Sequence, residues 1–379
     1  MKDRAVAPLF APRDFHIPAG VAHLCAGGEA AFLRSHDAAM RNYGRDKSAG
    51  MPGRKAQEAV ALRARTLAAS LLRVEPADVG FVSNVAEGVS ILAHSIDWRP
   101  GDNVCFDANE YPSVVMPFVR SVESHGVEIR LADARNPMAA LVDGRTRLIG
   151  TSHVSYLDSS RIDLPSLRRL ADDSGACLLV DYTQSAGVLP IQAGIADFAF
   201  SACYKWALGT TGLALAYWNR VRQPDWQPAT AGWYSIDVRE GRPDYAGPVA
   251  LRADALRFTR GNPAFIPIYV LANALDYLSR FSMESIADHV AALTSRMFDG
   301  LDALGLESIT PRAAAGRGAS VCLEAADAIA LVDALAQRGV LAWGGRGRVR
   351  FSFHGYNGSD DVDAALSALR DLRPGVQRP

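Results

Sequence analysis

Two hydrophobic rhythms alternate along the chain. Short, largely apolar runs stand at 103–107, 178–181, 195–201 and 212–218. Runs of this kind read as strands buried on both faces of a parallel sheet. Between them lie stretches with helical spacing, as at 55–73, where Ala59, Leu62, Leu67 and Leu71 fall close to a 3.6-residue period. Residues 79–96 read as strand, turn and helix: Ser83 or Asn84 supplies the cap, and Glu87 follows as in a capping box. Residues 145–156 form a strand ending in polar residues, and Pro165 suits the first turn of the helix that follows. Residues 23–28 read as a short strand leading into a glycine pair, 41–54 as a polar loop with three glycines, and 226–245 as a long loop. Beyond about residue 273 the pattern becomes helix at 283–304, strand at 319–324 and helix at 326–338. Strands follow near 340–343 and 348–354, and a last helix starts after Ser359.

The strand at 195–201 runs into the segment 200–212, FSACYKWALGTTG, which sets Lys205 between Tyr204 and Trp206. Burying an ammonium is costly. Desolvation there lowers a lysine's pKa and frees a neutral amine for Schiff-base chemistry; the alternative is a lysine snorkelling from a strand end. Leu178, Leu179 and Val180 lead directly into Asp181. A polar residue at the carboxyl end of a buried parallel strand lies where α/β folds bind ligands, and a buried aspartate needs a cationic partner. A pyridinium nitrogen is such a partner, and a carboxylate beside it keeps the ring protonated as an electron sink. The lysine and the aspartate, expected two strands apart, are what pyridoxal phosphate chemistry requires.

The segments VDYTQSAG and YKW, the earlier SNVAEGVSI and TSHVSY, and the later GNPAFIPIYVL and VRFSFHGYN resemble the class V aminotransferase family. That family includes cysteine desulfurases, kynureninases and isopenicillin N epimerase-like proteins. The resemblance runs from Leu24 to the C-terminus in the family's order. It implies the aspartate-aminotransferase type of pyridoxal-phosphate fold (fold type I): a large α/β domain with a mostly parallel, seven-stranded-type sheet, and a small C-terminal α/β domain. The expected division is an N-terminal arm at 1–22, packing with the small domain, a cofactor-binding domain at 23–255 and a small domain at 256–379. The resemblance further implies that the backbone amides of Val85 and Ala86 cradle the cofactor phosphate, which suits a free helix N-terminus. Tyr111 stacks on the pyridine face, Gln184 bonds the phenolic oxygen, and Tyr204 resembles the phosphate-binding tyrosine of kynureninases. Asn262 reaches the phosphate of a neighbouring subunit, so a homodimer with shared sites is expected. Arg350 grips the substrate carboxylate; Arg348 alternates to the same face. Ala26 and Gly27 line the substrate pocket. Two departures stand out: Tyr156 replaces the asparagine that often follows SHVS in desulfurases, leaving it a cofactor or substrate contact, and Ala202 replaces a phosphate-binding Ser or Thr.

Composition narrows the classes. With 379 residues the chain is about twice the usual domain length. A net charge of -1 and the absence of any basic block argue against a nucleic-acid partner. The cysteines, at 25, 105, 177, 203 and 322, show no CxxC spacing, which argues against a zinc site and fits a reducing cytosol. There is no apolar signal core and no apolar run of about 18 residues, so no membrane span is expected. Nucleotide-loop, zinc-protease and nucleophile-elbow motifs are missing. The expected enzyme deprotonates an amino acid at Cα, with Lys205 as base, and cleaves at Cβ like a C–S lyase. Desulfurases need a mobile cysteine before the arginine strand, and 339–348 has none. Aminotransferase or epimerase chemistry is the alternative, and a non-catalytic binding protein on the same fold is the third.

Overall fold

The computed structural model describes residues 5–123, 125–237 and 250–372. In chain order it contains β1 (Ala22–His23), α1 (His36–Ser48), α2 (Gly50–Leu72), β2 (Val79–Val82), α3 (Val85–His94), β3 (Asn103–Asp107), α4 (Pro112–Val122), β4 (Glu128–Ala132), α5 (Met138–Leu141), β5 (Thr146–Ser152) and α6 (Leu164–Ser174). The chain continues through β6 (Cys177–Asp181), β7 (Phe198–Ala202), β8 (Ala214–Trp218), α7 (Phe265–Leu278), α8 (Met283–Leu304), β9 (Ser320–Glu324), α9 (Ala328–Ala336), β10 (Val340–Leu341), β11 (Trp343–Gly345), β12 (Arg348–Ser352) and α10 (Ser359–Asp371).

Seven strands form the central sheet in the order β2-β8-β7-β6-β5-β3-β4. All neighbours run parallel except those of β8, which is antiparallel to both β2 and β7. The apolar runs have their reason here. In β6, Leu178 and Val180 pack into one core and Leu179 into the other, so both faces of the strand are covered. The α3 and α4 helices lie over the face carrying Phe106, Leu179 and Phe200, while α2, α6 and α7 share the opposite core. A second, antiparallel sheet, β11-β12-β9, is followed by α10, and β1 pairs in parallel with β10.

Two expectations need correction. Residues 41–54 are helical, not a loop: α1 and α2 adjoin at Ala49, with Gly50 at φ +64. Pro52 falls in the first turn of α2, where its missing N–H costs nothing. Tertiary contacts override the polar sequence: Tyr43 packs on Tyr269, and the Tyr269 hydroxyl donates to Asp46 at 2.7 Å. The strands leading to Asp181 and Lys205 are adjacent, since β6 pairs directly with β7. The loop expected over 226–245 is irregular as far as residue 237, and its remainder lies outside the described residues, as do 1–4 and 373–379.

Candidate active site

The carboxyl edge of the parallel strands carries the chemistry. Asp181 ends β6, Ser152 ends β5, and the turn after β7 presents Lys205. That turn is held from three sides. Leu208, at φ +57, closes it with its N–H on the Lys205 carbonyl at 2.9 Å. Two buried histidines clamp it: His36 Nε2–H donates to the Leu208 carbonyl at 2.8 Å, and His354 Nε2–H to the Trp206 carbonyl at 2.9 Å. Gly187, at φ +98, lies against the same turn; a Cβ there would sit 2.3 Å from the Trp206 carbonyl oxygen. Only glycine allows that approach.

His354 is fully buried, and burial pulls its pKa down to about 4 despite the Trp206 carbonyl. The folded protein therefore holds it neutral where the unfolded chain, near 6.5, takes up a proton. Its contribution is present above pH 6.5 and is lost as pH falls toward 4. Linkage gives a loss of about 2 kcal/mol at pH 5. Urea unfolding at pH 7.5 and pH 5 should show this drop in the wild type and a smaller one in His354→Gln.

A cavity of about 310 Å³ opens over the turn. It is lined by Gly27, Tyr111, Tyr156, Gln184, Tyr204, Lys205 and Arg350, so seven of the sequence-predicted residues converge. Lys205 is 7% exposed, and burial, helped by Arg350, lowers its pKa to about 8. Its Nζ stands 5.7 Å from the centre of the Tyr111 ring and 5.5 Å from that of Tyr204. Tyr111 meets Tyr156 edge to face at 4.9 Å. Gln184 is oriented at both ends: its Nε2–H donates to the Gly27 carbonyl at 3.2 Å, and its Oε1 accepts from the Trp206 indole at 3.1 Å. Arg350 Nη1–H donates to the Tyr156 carbonyl at 2.9 Å.

Other expected residues lie elsewhere. Ala26 does not line the cavity; it is fully buried in the core, because the chain places Gly27 in front of it. Val85 and Ala86 open α3, whose cap is Asn84: its side chain accepts from Glu87 N–H at 2.9 Å. Their two amides belong to the first turn, which no helical bond can satisfy. Asn262 lines a separate cavity of about 160 Å³ with Ser83, Glu87 and Arg260, and accepts from Arg54 at 2.7 Å.

The structure adds residues that the sequence did not single out. Glu110 clips the Tyr111 loop to the end of β5, accepting from the Ser152 amide at 2.6 Å and the Ser152 hydroxyl at 2.5 Å. Cys25, Glu29, Trp343 and Arg346 complete the cavity wall. Trp343 and Arg346 come with the hairpin that carries Arg350, and a bridge to Ser352 brings in Cys25.

Asp181 tests whether pyridoxal phosphate fits. Its carboxylate is 5% exposed and accepts the Thr183 amide at 2.8 Å. Burial raises its pKa despite the Thr183 bonds. A buried carboxylate left this way calls for a cation, and a protonated ring nitrogen supplies one. A desolvated lysine, a buried aspartate at the next strand end and an aromatic lid define a fold type I pyridoxal-phosphate enzyme. The family profile described as Aminotransferase class-V matches residues 37–365, and the chain belongs to that family. A probable cysteine desulfurase of Methanothermobacter thermautotrophicus is 25% identical over 350 residues, 84% of each chain. The apo cysteine desulfurase of Thermococcus onnurineus NA1 superposes with a TM-score of 0.85 at 21% identity, covering 98% of this chain and 99% of that one. The cystine C–S lyase C-DES, in complex with its reaction product cysteine persulfide, gives 0.84 at 20% identity over 93% and 98%.

Proposed function

We propose that the protein is a lyase that deprotonates an amino acid at Cα and cleaves at Cβ, breaking a C–S bond without a mobile cysteine. The observation that carries the reading is the meeting of Lys205 and Arg350 across one cavity. Arg350 binds the substrate carboxylate, orienting the Cα–H bond toward the Lys205 amine. Lys205, favoured as the neutral base by burial, takes that proton. Bound pyridoxal phosphate supplies the electron sink for the charge left at Cα. Asp181 would hold its ring nitrogen, Tyr111 its face, Gln184 its phenolic oxygen, and Val85, Ala86 and Tyr204 its phosphate. The C–S bonding pair leaves with sulfur, which takes up a proton; one water then hydrolyses the remaining enamine, so the net products are a thiol or persulfide, a keto acid and ammonia.

Cys25 borders the cavity, but burial raises its pKa and so keeps it a thiol. Its carbonyl accepts from the Gly28 and Glu29 amides at 2.8 Å each, which fixes the turn. It therefore lacks the mobility that persulfide transfer needs.

Proton NMR of the cofactor-loaded protein with L-amino acids in D2O tests the reading. Sulfur amino acids head the panel, since the named relatives act on them. Cα–H exchange with keto acid and thiol release is expected; keto acid formed only with an added acceptor would make it an aminotransferase. We also infer a homodimer in which Asn262 serves the neighbouring site. Support comes from exposed Met51, Leu62 and Ile266 on α2 and α7, the helices flanking Asn262. A fully active monomer in sedimentation would defeat this. Among the described residues no helix is long and apolar enough to cross a membrane. The five unpaired cysteines support a cytoplasmic location.

A further inference from the structure

Arg350 does not face the cavity alone. Arg346, Arg348 and Arg350 recur at every second position along the hairpin of β11 and β12. Gly345 pairs with Arg348, so Arg346 and Gly347 form a two-residue turn. Both have positive φ, 52° and 73°. Such turns favour Asn, Asp or Gly at the first place, and a long side chain held there is strained. Arg346 stands there nonetheless, exposed at the cavity mouth, and donates to the Tyr156 hydroxyl.

The three guanidinium groups stack around two rings. Arg346 lies 5.1 Å and Arg348 5.3 Å from the Tyr156 ring centre, while Arg348 and Arg350 lie 5.1 and 5.0 Å from that of Trp343. Arg348 and Arg350 donate to one neutral acceptor, the Tyr156 carbonyl, at 3.1 and 2.9 Å. Among the described residues, none of the three has a carboxylate partner within ion-pair distance. The Nε atoms of Arg348 and Arg350 are buried with no acceptor. Glu29 is the one carboxylate among the described residues lining the cavity. Buried cations of this kind call for an anion. In the reading proposed above, on which this argument rests, a substrate carboxylate answers Arg350. The buried Arg348 and the exposed Arg346 stay without a carboxylate.

We propose that the substrate carries a second anionic group, and that Arg346 and the Tyr156 hydroxyl, backed by Arg348, form the subsite that receives it. The substrate class is then an amino acid whose side chain ends in a carboxylate, sulfinate or sulfonate, or a diacid joined through sulfur, such as the disulfide of two cysteines. A plain monocarboxylic amino acid leaves this subsite empty.

Two measurements test this. The first uses the apoprotein and its intrinsic tryptophan fluorescence, titrated with glutarate and with pentanoate, two chains of five carbons. At least tenfold tighter binding of the diacid is expected, with the preference erased in Arg346→Gln; equal affinities in the wild type would overturn the proposal. The second uses the cofactor-loaded enzyme and compares Cα–H exchange for L-glutamate and L-norvaline, and for L-cystine and S-propyl-L-cysteine. Arg346→Gln should lower the dianion-to-monoanion ratio of kcat/KM at least tenfold, whereas Arg350→Gln should lower both members together. A ratio that Arg346→Gln does not change would overturn the subsite. Absence of exchange with every amino acid, alongside a clear diacid preference in the first measurement, would sink the lyase reading and leave the subsite standing.

Discussion

Replacing Lys205 by alanine is expected to lower Cα–H exchange by roughly 10²- to 10⁴-fold, the usual share of a positioned acid–base group. The NMR assay in D2O measures it directly. The effect should be chemical, not structural. The turn that carries Lys205 is held by backbone bonds to His36 and His354, not by the amine. The melting temperature of Lys205→Ala should therefore stay at or above that of the wild-type apoprotein, since a desolvated ammonium is removed. The pH dependence follows from the lysine's pKa of about 8, lowered by burial and Arg350. Below that pH the neutral fraction falls tenfold per unit. The rate at which the apoprotein captures pyridoxal phosphate should rise with pH and level off above about 8. A capture rate flat from pH 6 to 9 would refute a free-amine role.

Replacing Asp181 by asparagine should separate the two roles of a buried carboxylate. Its folded pKa is raised, chiefly by burial. A raised carboxylate contributes its stability below the unfolded value of 3.8 and loses it as pH rises through the folded value, so ionising the buried group works against the apoprotein. Asparagine removes that charge. The variant's apoprotein should melt no lower than the wild type at pH 7. With pyridoxal phosphate the order should reverse. Losing one partner of a buried ion pair costs about 3–5 kcal/mol, or roughly 100-fold or more in cofactor affinity. Fluorescence titration and melting with and without cofactor measure both signs. Unchanged cofactor affinity would refute the pairing of Asp181 with the ring.

Much of the fold was legible because its strands are buried on both faces. Residues 103–107 and 283–304 were read with the boundaries that β3 and α8 have. The stretch 41–54 was misread because its helix owes little to its own polar sequence and much to Tyr269 on α7. At the site, Lys205 and Asp181 stood out as charges set in apolar context, while Arg350 was told from Arg348 only by the family resemblance. Glu110 and Arg346 did not. A glutamate in a turn and an arginine between glycines look solvated until Ser152 and Tyr156 are brought beside them.

The sequence by itself determined the strand and helix order, the class of cofactor and the lysine–aspartate pair, because those follow from local periodicity and from the cost of burying charge. Only the tertiary structure decided that β8 runs against its neighbours, that β6 and β7 adjoin, and that Ala26 sits behind Gly27. It alone gathers three arginines around Tyr156. Local sequence carries no record of which strands pair or which distant loops close on one cavity. Those arrangements arise from packing between segments far apart in the chain, where the field on each charged group is the sum over all its neighbours.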